Sequence, residues 1–264
     1  MIPAPSETLA RLRAGAPLVH NVTNYVAMDV TANALLAVGA SPLMAHALEE
    51  VDEIVGISGA VAINIGTLEP QWVAAMHRVA DRAVTQTKPW VLDPVGAGAT
   101  RYRTETSRDL ARRHPAVVRG NASEILALAG ATVVTKGVDS VHGSGEAREV
   151  AARLARELRC VVAVTGAVDY VTDGTRTVAI ANGHPLMARV TALGCTATSL
   201  VAACLAVGGN ALVAAAHALA ILGVCGELAA ESAAGPGTLR LQLIDALYTI
   251  DGSTLDARAR ITEA

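Results

Sequence analysis

Three short stretches carry residue types that suit chemistry on a phosphate. Asp93 follows the apolar step Trp90-Val91-Leu92 and opens the glycine-rich stretch Pro94-Val95-Gly96-Ala97-Gly98-Ala99. A carboxylate at the carboxyl end of a buried parallel strand, before such a loop, stands where open α/β sheets hold their ligands. An Asp-Pro pair also suits a plain turn, so this segment alone leaves both readings open. Arg119-Gly120-Asn121-Ala122-Ser123-Glu124 leaves a second apolar step, Ala116-Val117-Val118, and brings a guanidinium and another carboxylate to the same sheet edge. Two carboxylates and an arginine fit a Mg2+ and phosphate arrangement, because Mg2+ takes few carboxylates and keeps its waters, while arginine grips phosphate through paired hydrogen bonds. Asn121 as an N-cap with Glu124 completing a capping box uses the same residues, and the two readings are compatible. The third stretch, Thr191-Ala192-Leu193-Gly194-Cys195-Thr196, runs from a glycine-containing loop into an Ala-rich helix. Free N–H groups at the positive end of that helix suit an anion.

The helix belongs to a run, 190–226, without a charged residue. Its length alone makes it a transmembrane candidate. Gly208-Gly209-Asn210 interrupts it, Ala is its commonest residue, and no Lys/Arg cluster flanks it. Two antiparallel helices packed in a soluble core fit better than a membrane span.

Composition narrows the partners. A chain of 264 residues with 52% hydrophobic and 17% charged residues can bury one large α/β domain, 1–264, and is not disordered. A net charge of -3 gives no basic field, and without Phe and with 2% aromatics there is no stacking platform, so nucleic acid is not expected as a partner. Cys160, Cys195, Cys204 and Cys225 form no C-x-x-C pair, which argues against a zinc site or a disulfide framework. The N-terminus has scattered charges and no apolar core of a signal peptide, which places the protein in the cytoplasm.

The remaining pattern alternates strand and helix. After an amphipathic helix within 1–16, Leu18-Val19 steps into His20-Asn21-Val22-Thr23-Asn24 and a helical pattern over 26–38, where Asn24 either caps the helix or faces a ligand. Short strands are expected at 43–45 and 60–65, with a helix from about Pro70. A helix over 105–113, a Ser- and Gly-rich loop beyond Lys136, a helix over 146–158 and a strand over 160–164 follow. An Asp173-Gly174 turn joins 170–172 to 176–180 as an antiparallel edge hairpin, and a final helix covers 239–248.

With these segments in order, the chain resembles the hydroxyethylthiazole kinases of the ribokinase-like superfamily. The resemblance rests on Pro17-Leu18-Val19-His20-Asn21-Val22-Thr23-Asn24, Gly39-Ala40-Ser41-Pro42-Leu43-Met44, Asn64-Ile65-Gly66-Thr67-Leu68, Leu92-Asp93-Pro94-Val95-Gly96-Ala97-Gly98, Arg119 to Ile125, Val164-Thr165-Gly166 and Gly194-Cys195. It implies a three-layer fold: a mostly parallel central sheet, helices on both faces and the antiparallel edge hairpin. The implied reaction moves the γ-phosphoryl group of ATP to the primary alcohol of 4-methyl-5-(2-hydroxyethyl)thiazole, with Mg2+, in thiamine biosynthesis. By the same resemblance Asn24, Met44 and Gly66 line the thiazole pocket between subunits of a homotrimer. Asp93 and Glu124 hold Mg2+, directly or through water, and Arg119 and Thr165 meet the nucleotide, with Arg119 at the phosphates.

Cys195 takes the position that most ribokinase-like kinases give to an aspartate base. A thiol is an inferior oxygen base unless a helix terminus and cations lower its pKa, but phosphoryl transfer asks little of a base. The family usually has glycine where this chain has Ala192, and a smaller residue than Leu193. A positive φ at position 192 makes alanine costly by about 1 kcal/mol; otherwise the loop adds a methyl near the substrate beside Gly194. Alternatives are a kinase of another heterocyclic alcohol such as a pyrimidine, a nucleotide-dependent dehydratase on the same fold, and a binding regulator without turnover.

Overall fold

Alternate residues of each apolar run enter different helical layers, which is why the runs are strands buried on both faces. Val19, Ala60, Ala62, Val91 and Val117 face one core, and Val22, Val61, Ile63, Leu92 and Val118 face the other. A computed structural model describes residues 2–130 and 144–264. The loop expected beyond Lys136 begins outside the described residues.

In chain order the elements are α1 Pro5–Gly15, β1 Leu18–Val22, α2 Met28–Val38, β2 Ser41–Met44, α3 Val51–Ile57, β3 Ala60–Asn64, α4 Pro70–Thr85 and β4 Trp90–Asp93. There follow α5 Arg101–Ala111, β5 Val117–Asn121, α6 Ala122–Leu128, α7 Ser144–Leu158, β6 Val161–Thr165, β7 Asp169–Thr172 and β8 Thr177–Ile180. After a 3-10 turn, Pro185–Arg189, come α8 Leu193–Ala206, α9 Ala211–Ala230, α10 Pro236–Thr249, α11 Gly252–Arg258 and β9 Ile261–Glu263.

The strands form one nine-stranded sheet in the order β2-β1-β3-β4-β5-β6-β7-β8-β9. Pairing is parallel from β2 through β6 and antiparallel from β6 to β9. Helices cover both faces: α8, α9, α10, α1 and α2 contribute to one core, and α3, α4, α6 and α7 to the other. The hairpin β7–β8 is present, with β9 added outside it. The chain reverses direction across the sheet between β1 and β3, and α/β sheets bind ligands at the carboxyl ends of strands beside such a switch.

The charge-free run becomes α8 and α9, packed against each other. Gly208 and Gly209 at φ +83° and +113° supply the left-handed turn between them, and the Asn210 side chain accepts from Leu212 N and Val213 N to start α9. On length and composition α9 resembles a membrane span, yet 78% of its apolar window is buried inside the fold. It is a core helix here, and α8 lies directly against β1, β3 and β4.

Some boundaries differ from the sequence reading. The second helix begins at Met28 rather than at position 26, because residues 25–27 form a turn after Asn24. The strand expected over 43–45 runs from Ser41 to Met44 as the edge strand.

Candidate functional site

Six neighbouring parallel strands deliver the predicted site residues to one edge of the sheet. Met44 ends β2, Asn24 follows β1, Asn64 ends β3 just before Gly66, Asp93 ends β4, Arg119 lies in β5, and Thr165 ends β6. Glu124 enters from the first turn of α6, and Gly194 and Cys195 from the first turn of α8.

Asp93 sits at the centre of this row and is fully buried. Its Oδ2 accepts from Asn64 Nδ2 at 2.7 Å and from Thr198 Oγ1 at 2.8 Å. Its Oδ1 has no hydrogen-bond partner and lies 3.9 Å from Arg119 Nη1. Burial pushes the Asp93 carboxyl above the ordinary carboxylate range, and Arg119, Thr198 and Asn64 only offset that effect. A buried carboxylate oxygen without a hydrogen-bond partner is costly, and Oδ1 has acceptor capacity that a cation or its water could use.

Glu124 is held by its own helix start. Asn121 accepts from Glu124 N at 2.9 Å while Glu124 Oε2 accepts from Asn121 N at 2.8 Å, so the capping box is real. The other oxygen, Oε1, accepts from Gly96 N at 2.9 Å and ties the loop after Asp93 to α6. The cap and a place beside Asp93 therefore coexist. Burial, followed by the Asp93 charge, raises the Glu124 pKa, against the lowering effect of the Gly96 and Asn121 N–H groups and of Arg119.

Arg119 is nearly buried and donates from Nη2 to Thr165 Oγ1 at 2.6 Å. A Cβ at position 194 would lie 2.8 Å from Arg119 Nη1, so Gly194 is what admits the guanidinium against the start of α8. Ala192, the N-cap of α8, offers no side-chain cap, leaving the first N–H groups of the helix free for an anion.

At the other end, Asn24 Nδ2 donates to Asn64 Oδ1 at 2.8 Å and to Cys195 Sγ at 3.4 Å, while Asn24 Oδ1 accepts from Ala27 N at 3.0 Å. Asn24 thus both holds the turn before α2 and faces the site. A Cβ on Gly66 would come within 2.5 Å of Asn24 Nδ2, so only glycine lets the amide lie there. Met44 lies half-buried at the end of the edge strand, opposite Asn21 in register.

Burial, then the Asp93 charge, pushes the Cys195 thiol up to about 11. The start of α8 therefore does not activate it, and Cys195 is a neutral thiol near pH 7. Ala192 adopts φ +65°, ψ 5°, the left-handed conformation that the departure from glycine put in question. Ala192→Gly is expected to stabilise the fold by about 0.5–1 kcal/mol: relief of the Cβ clash, worth roughly 1–2 kcal/mol, exceeds the greater chain entropy of glycine. Urea unfolding of both proteins at one pH measures it, and a less stable glycine variant contradicts the strain.

Thr198 and Asn64 were not singled out as site residues, although both bond Asp93. The available signals were a polar residue closing an apolar strand and a threonine one turn after Cys195 in a charge-free helix. Arg103 gave no such signal.

Solved structures share this architecture. A pyridoxal kinase from Staphylococcus aureus in complex with pyridoxal superposes with a TM-score of 0.67 at 17% identity, over 94% of this chain and 99% of that one. A ribokinase-like superfamily protein from Enterococcus faecalis gives 0.64 at 13% identity, over 90% and 88%. The fold is the ribokinase-like α/β fold. A hydroxyethylthiazole kinase from Pyrococcus horikoshii OT3 superposes at a TM-score of 0.92 with 45% identity, over 98% of each chain. Hydroxyethylthiazole kinases from Oleidesulfovibrio alaskensis and Granulibacter bethesdensis are 50% and 53% identical to this chain, over 97% and 96% of it and 96% and 92% of their own lengths. The profile of the hydroxyethylthiazole kinase family matches residues 9–253, and the chain belongs to that family.

Proposed function

We propose that this protein transfers the γ-phosphoryl group of ATP to the primary hydroxyl of 4-methyl-5-(2-hydroxyethyl)thiazole, in the cytoplasm, as a step of thiamine biosynthesis. The observation that carries the reading is the order of residues along the sheet edge. Met44 at the end of β2 and Asn24 and Gly66 just beyond β1 and β3 lie at one end, Arg119 and Thr165 on β5 and β6 at the other, and Asp93 stands between them. An acceptor at the first end and a nucleotide at the second bring hydroxyl and γ-phosphate together over Asp93 and the start of α8.

The residues divide the work accordingly. Arg119, steadied by Thr165, meets the phosphates, and the free N–H groups of α8 beside Gly194 receive the charge that develops on the transferred group. The unpartnered Asp93 Oδ1 and the neighbouring Glu124 fit Mg2+, held directly or through water. When bound, Mg2+ supplies charge neutralisation for the phosphates. The acceptor oxygen forms its new bond to the γ-phosphorus as the bond to the leaving ADP oxygen breaks, and the acceptor's hydroxyl proton passes to an oxygen of the transferred phosphoryl group and from there to water. Asn24 orients the acceptor, and Ala192 and Gly194 shape the wall beside it.

Cys195, as a neutral thiol, is assigned to positioning the acceptor hydroxyl. Cys195→Ala is expected to keep measurable turnover, and Cys195→Asp to be tolerated or faster, because the Asn24 amide can donate to a carboxylate there. Loss of all activity in both folded variants would make the thiol indispensable and overturn this assignment.

The acceptor end is open. The edge strand β2 carries Met44, and Tyr25 and Val26, next to Asn24, are 66% and 64% exposed. A homotrimer whose neighbouring subunit covers these side chains completes the pocket. The reaction is tested by ADP release from ATP and Mg2+ with and without hydroxyethylthiazole, beside a pyrimidine alcohol. Thiazole-dependent release supports the reading. Turnover only with another alcohol discards the substrate, and silence with every alcohol discards the kinase.

A further inference from the structure

The loops that leave β3 and β4 belong to different halves of the reaction. The first carries Asn64 and Gly66 at the acceptor end; the second carries Asp93 and Gly96, the latter tied to Glu124, at the cation end. Their relative placement therefore sets where the acceptor hydroxyl lies with respect to the phosphate.

One side chain joins them. Arg103, in the first turn of α5, donates from Nη1 to Ile65 O at 2.9 Å and to Val95 O at 3.0 Å, and from Nη2 to Gly66 O at 2.9 Å. Other arginines on this surface pair with acids, as Arg101 does with Glu105 and Arg112 with Asp109. Arg103 has no carboxylate in ion-pair reach among the described residues and directs its guanidinium to three backbone carbonyls. Its stem packs on the second loop too: a Cβ on Gly96, which adopts φ +73°, would lie 3.2 Å from Arg103 Cδ. Gly96 in turn donates to Glu124 Oε1. The contacts thus run from the acceptor loop through one guanidinium to the loop of the cation carboxylates.

We propose that Arg103 is a positioning residue for phosphoryl transfer, clamping the acceptor loop to the cation loop so that hydroxyl and γ-phosphate meet in register. The planar fork matters: it serves carbonyls on two loops at fixed angles, which a lysine's single ammonium does not reproduce. Arg103 touches neither substrate nor phosphate in this account and acts through Gly66 and Gly96. The proposal rests on the assignment of acceptor and cation ends given above.

The test compares Arg103→Met, which keeps the stem against Gly96, with Arg103→Lys and Arg103→Ala. A misplacement of about 1 Å at a reacting centre costs roughly 100-fold in rate, so kcat of Arg103→Met is expected to fall about 10- to 100-fold. KM for ATP stays within about threefold and KM for the acceptor rises, since the acceptor loop loses both carbonyl anchors, Ile65 O and Gly66 O, while the cation loop loses Val95 O but keeps its tie to Glu124. Arg103→Lys falls between, and guanidinium at low millimolar concentration restores part of the turnover of Arg103→Ala. The rises in melting temperature on adding Mg2+ alone and hydroxyethylthiazole alone shrink in Arg103→Met, a readout independent of turnover. A folded Arg103→Met with wild-type kcat and both thermal shifts intact overturns the clamp. So does a loss of turnover that disappears when the assay is run well below the variant's melting temperature, since that is a stability effect alone. Failure of the substrate reading is separate: it shows as wild-type enzyme silent with hydroxyethylthiazole, and the comparison then uses whichever alcohol is turned over.

Discussion

Asp93→Asn is expected to lower kcat about 1,000-fold while leaving the cation-free protein at least as stable as wild type near neutral pH. The rate follows from the role proposed for Asp93 in the row of strand ends: loss of the charge that would hold the cation removes several kcal/mol of transition-state stabilisation, at about 1.4 kcal/mol per factor of ten. The stability follows from its hydrogen bonds. An asparagine oxygen can replace Oδ2 and accept from Asn64 Nδ2 and Thr198 Oγ1, so the buried donors keep their partner. Its amide nitrogen then takes the place of Oδ1, which has no hydrogen bond to lose.

The pH dependence has a definite sign. Burial raises the Asp93 pKa in the folded protein, so the folded state holds its proton more tightly than the unfolded chain does. The cost of ionised Asp93 is absent below the ordinary carboxylate range, sets in as pH rises through that range to the folded pKa, and persists at neutrality. Any stability advantage of asparagine therefore appears near neutral pH and vanishes in acid. Adding Mg2+ should raise the melting temperature of wild type and leave the variant unmoved. Turnover within tenfold of wild type would remove Asp93 from the cation site. A variant melting well below cation-free wild type at pH 7 would mean that the charge of Arg119, 3.9 Å away, outweighs burial.

Much of this site was legible because the chain writes its centre into strand ends. A strand buried on both faces reads as an unbroken apolar run, so polar residues that close such runs, Asp93, Arg119 and Thr165, stand out. Other features left no local trace. Thr198 lies inside an apolar helix, where a threonine reads as filler until the sheet places Asp93 under it. Arg103 lies in a strongly charged helix, Arg101–Ala111, where an arginine reads as solvent-facing; only the folded loops reveal three carbonyls around it. The C-terminal strand Ile261–Glu263 is too short for periodicity and is defined by its pairing with β8. The loop before α8 fixed that residue 192 mattered, but its φ is set by how the chain enters a helix packed against three strands.

Glu124→Gln should separate the second carboxylate from the first, because here stability and activity fall together. Both oxygens of Glu124 already accept backbone N–H groups, Oε1 from Gly96 at 2.9 Å and Oε2 from Asn121 at 2.8 Å. Glutamine has one oxygen and one NH2, so whichever way it turns, a donor confronts a donor. An unpaired buried donor costs about 1–3 kcal/mol, which for a chain of this size is a fall of several degrees in melting temperature. If the NH2 faces Asn121 N the capping box opens; if it faces Gly96 N the loop after Asp93 loses its tie to α6. Loss of the carboxylate charge also relieves Asp93, whose charge raises the Glu124 pKa and is opposed by it in return. Turnover is expected to fall about 100-fold with a higher Mg2+ requirement, as charge and loop placement are both reduced. Asp93→Asn predicts the opposite stability sign at neutral pH, so unfolding curves of the two variants, read beside their kcat, decide whether Glu124 holds the cation, the loop or both. A Glu124→Gln protein as stable as wild type would show that the capping box and the Gly96 tie contribute little. If it also keeps wild-type turnover and Mg2+ requirement, the cation site narrows to Asp93 alone.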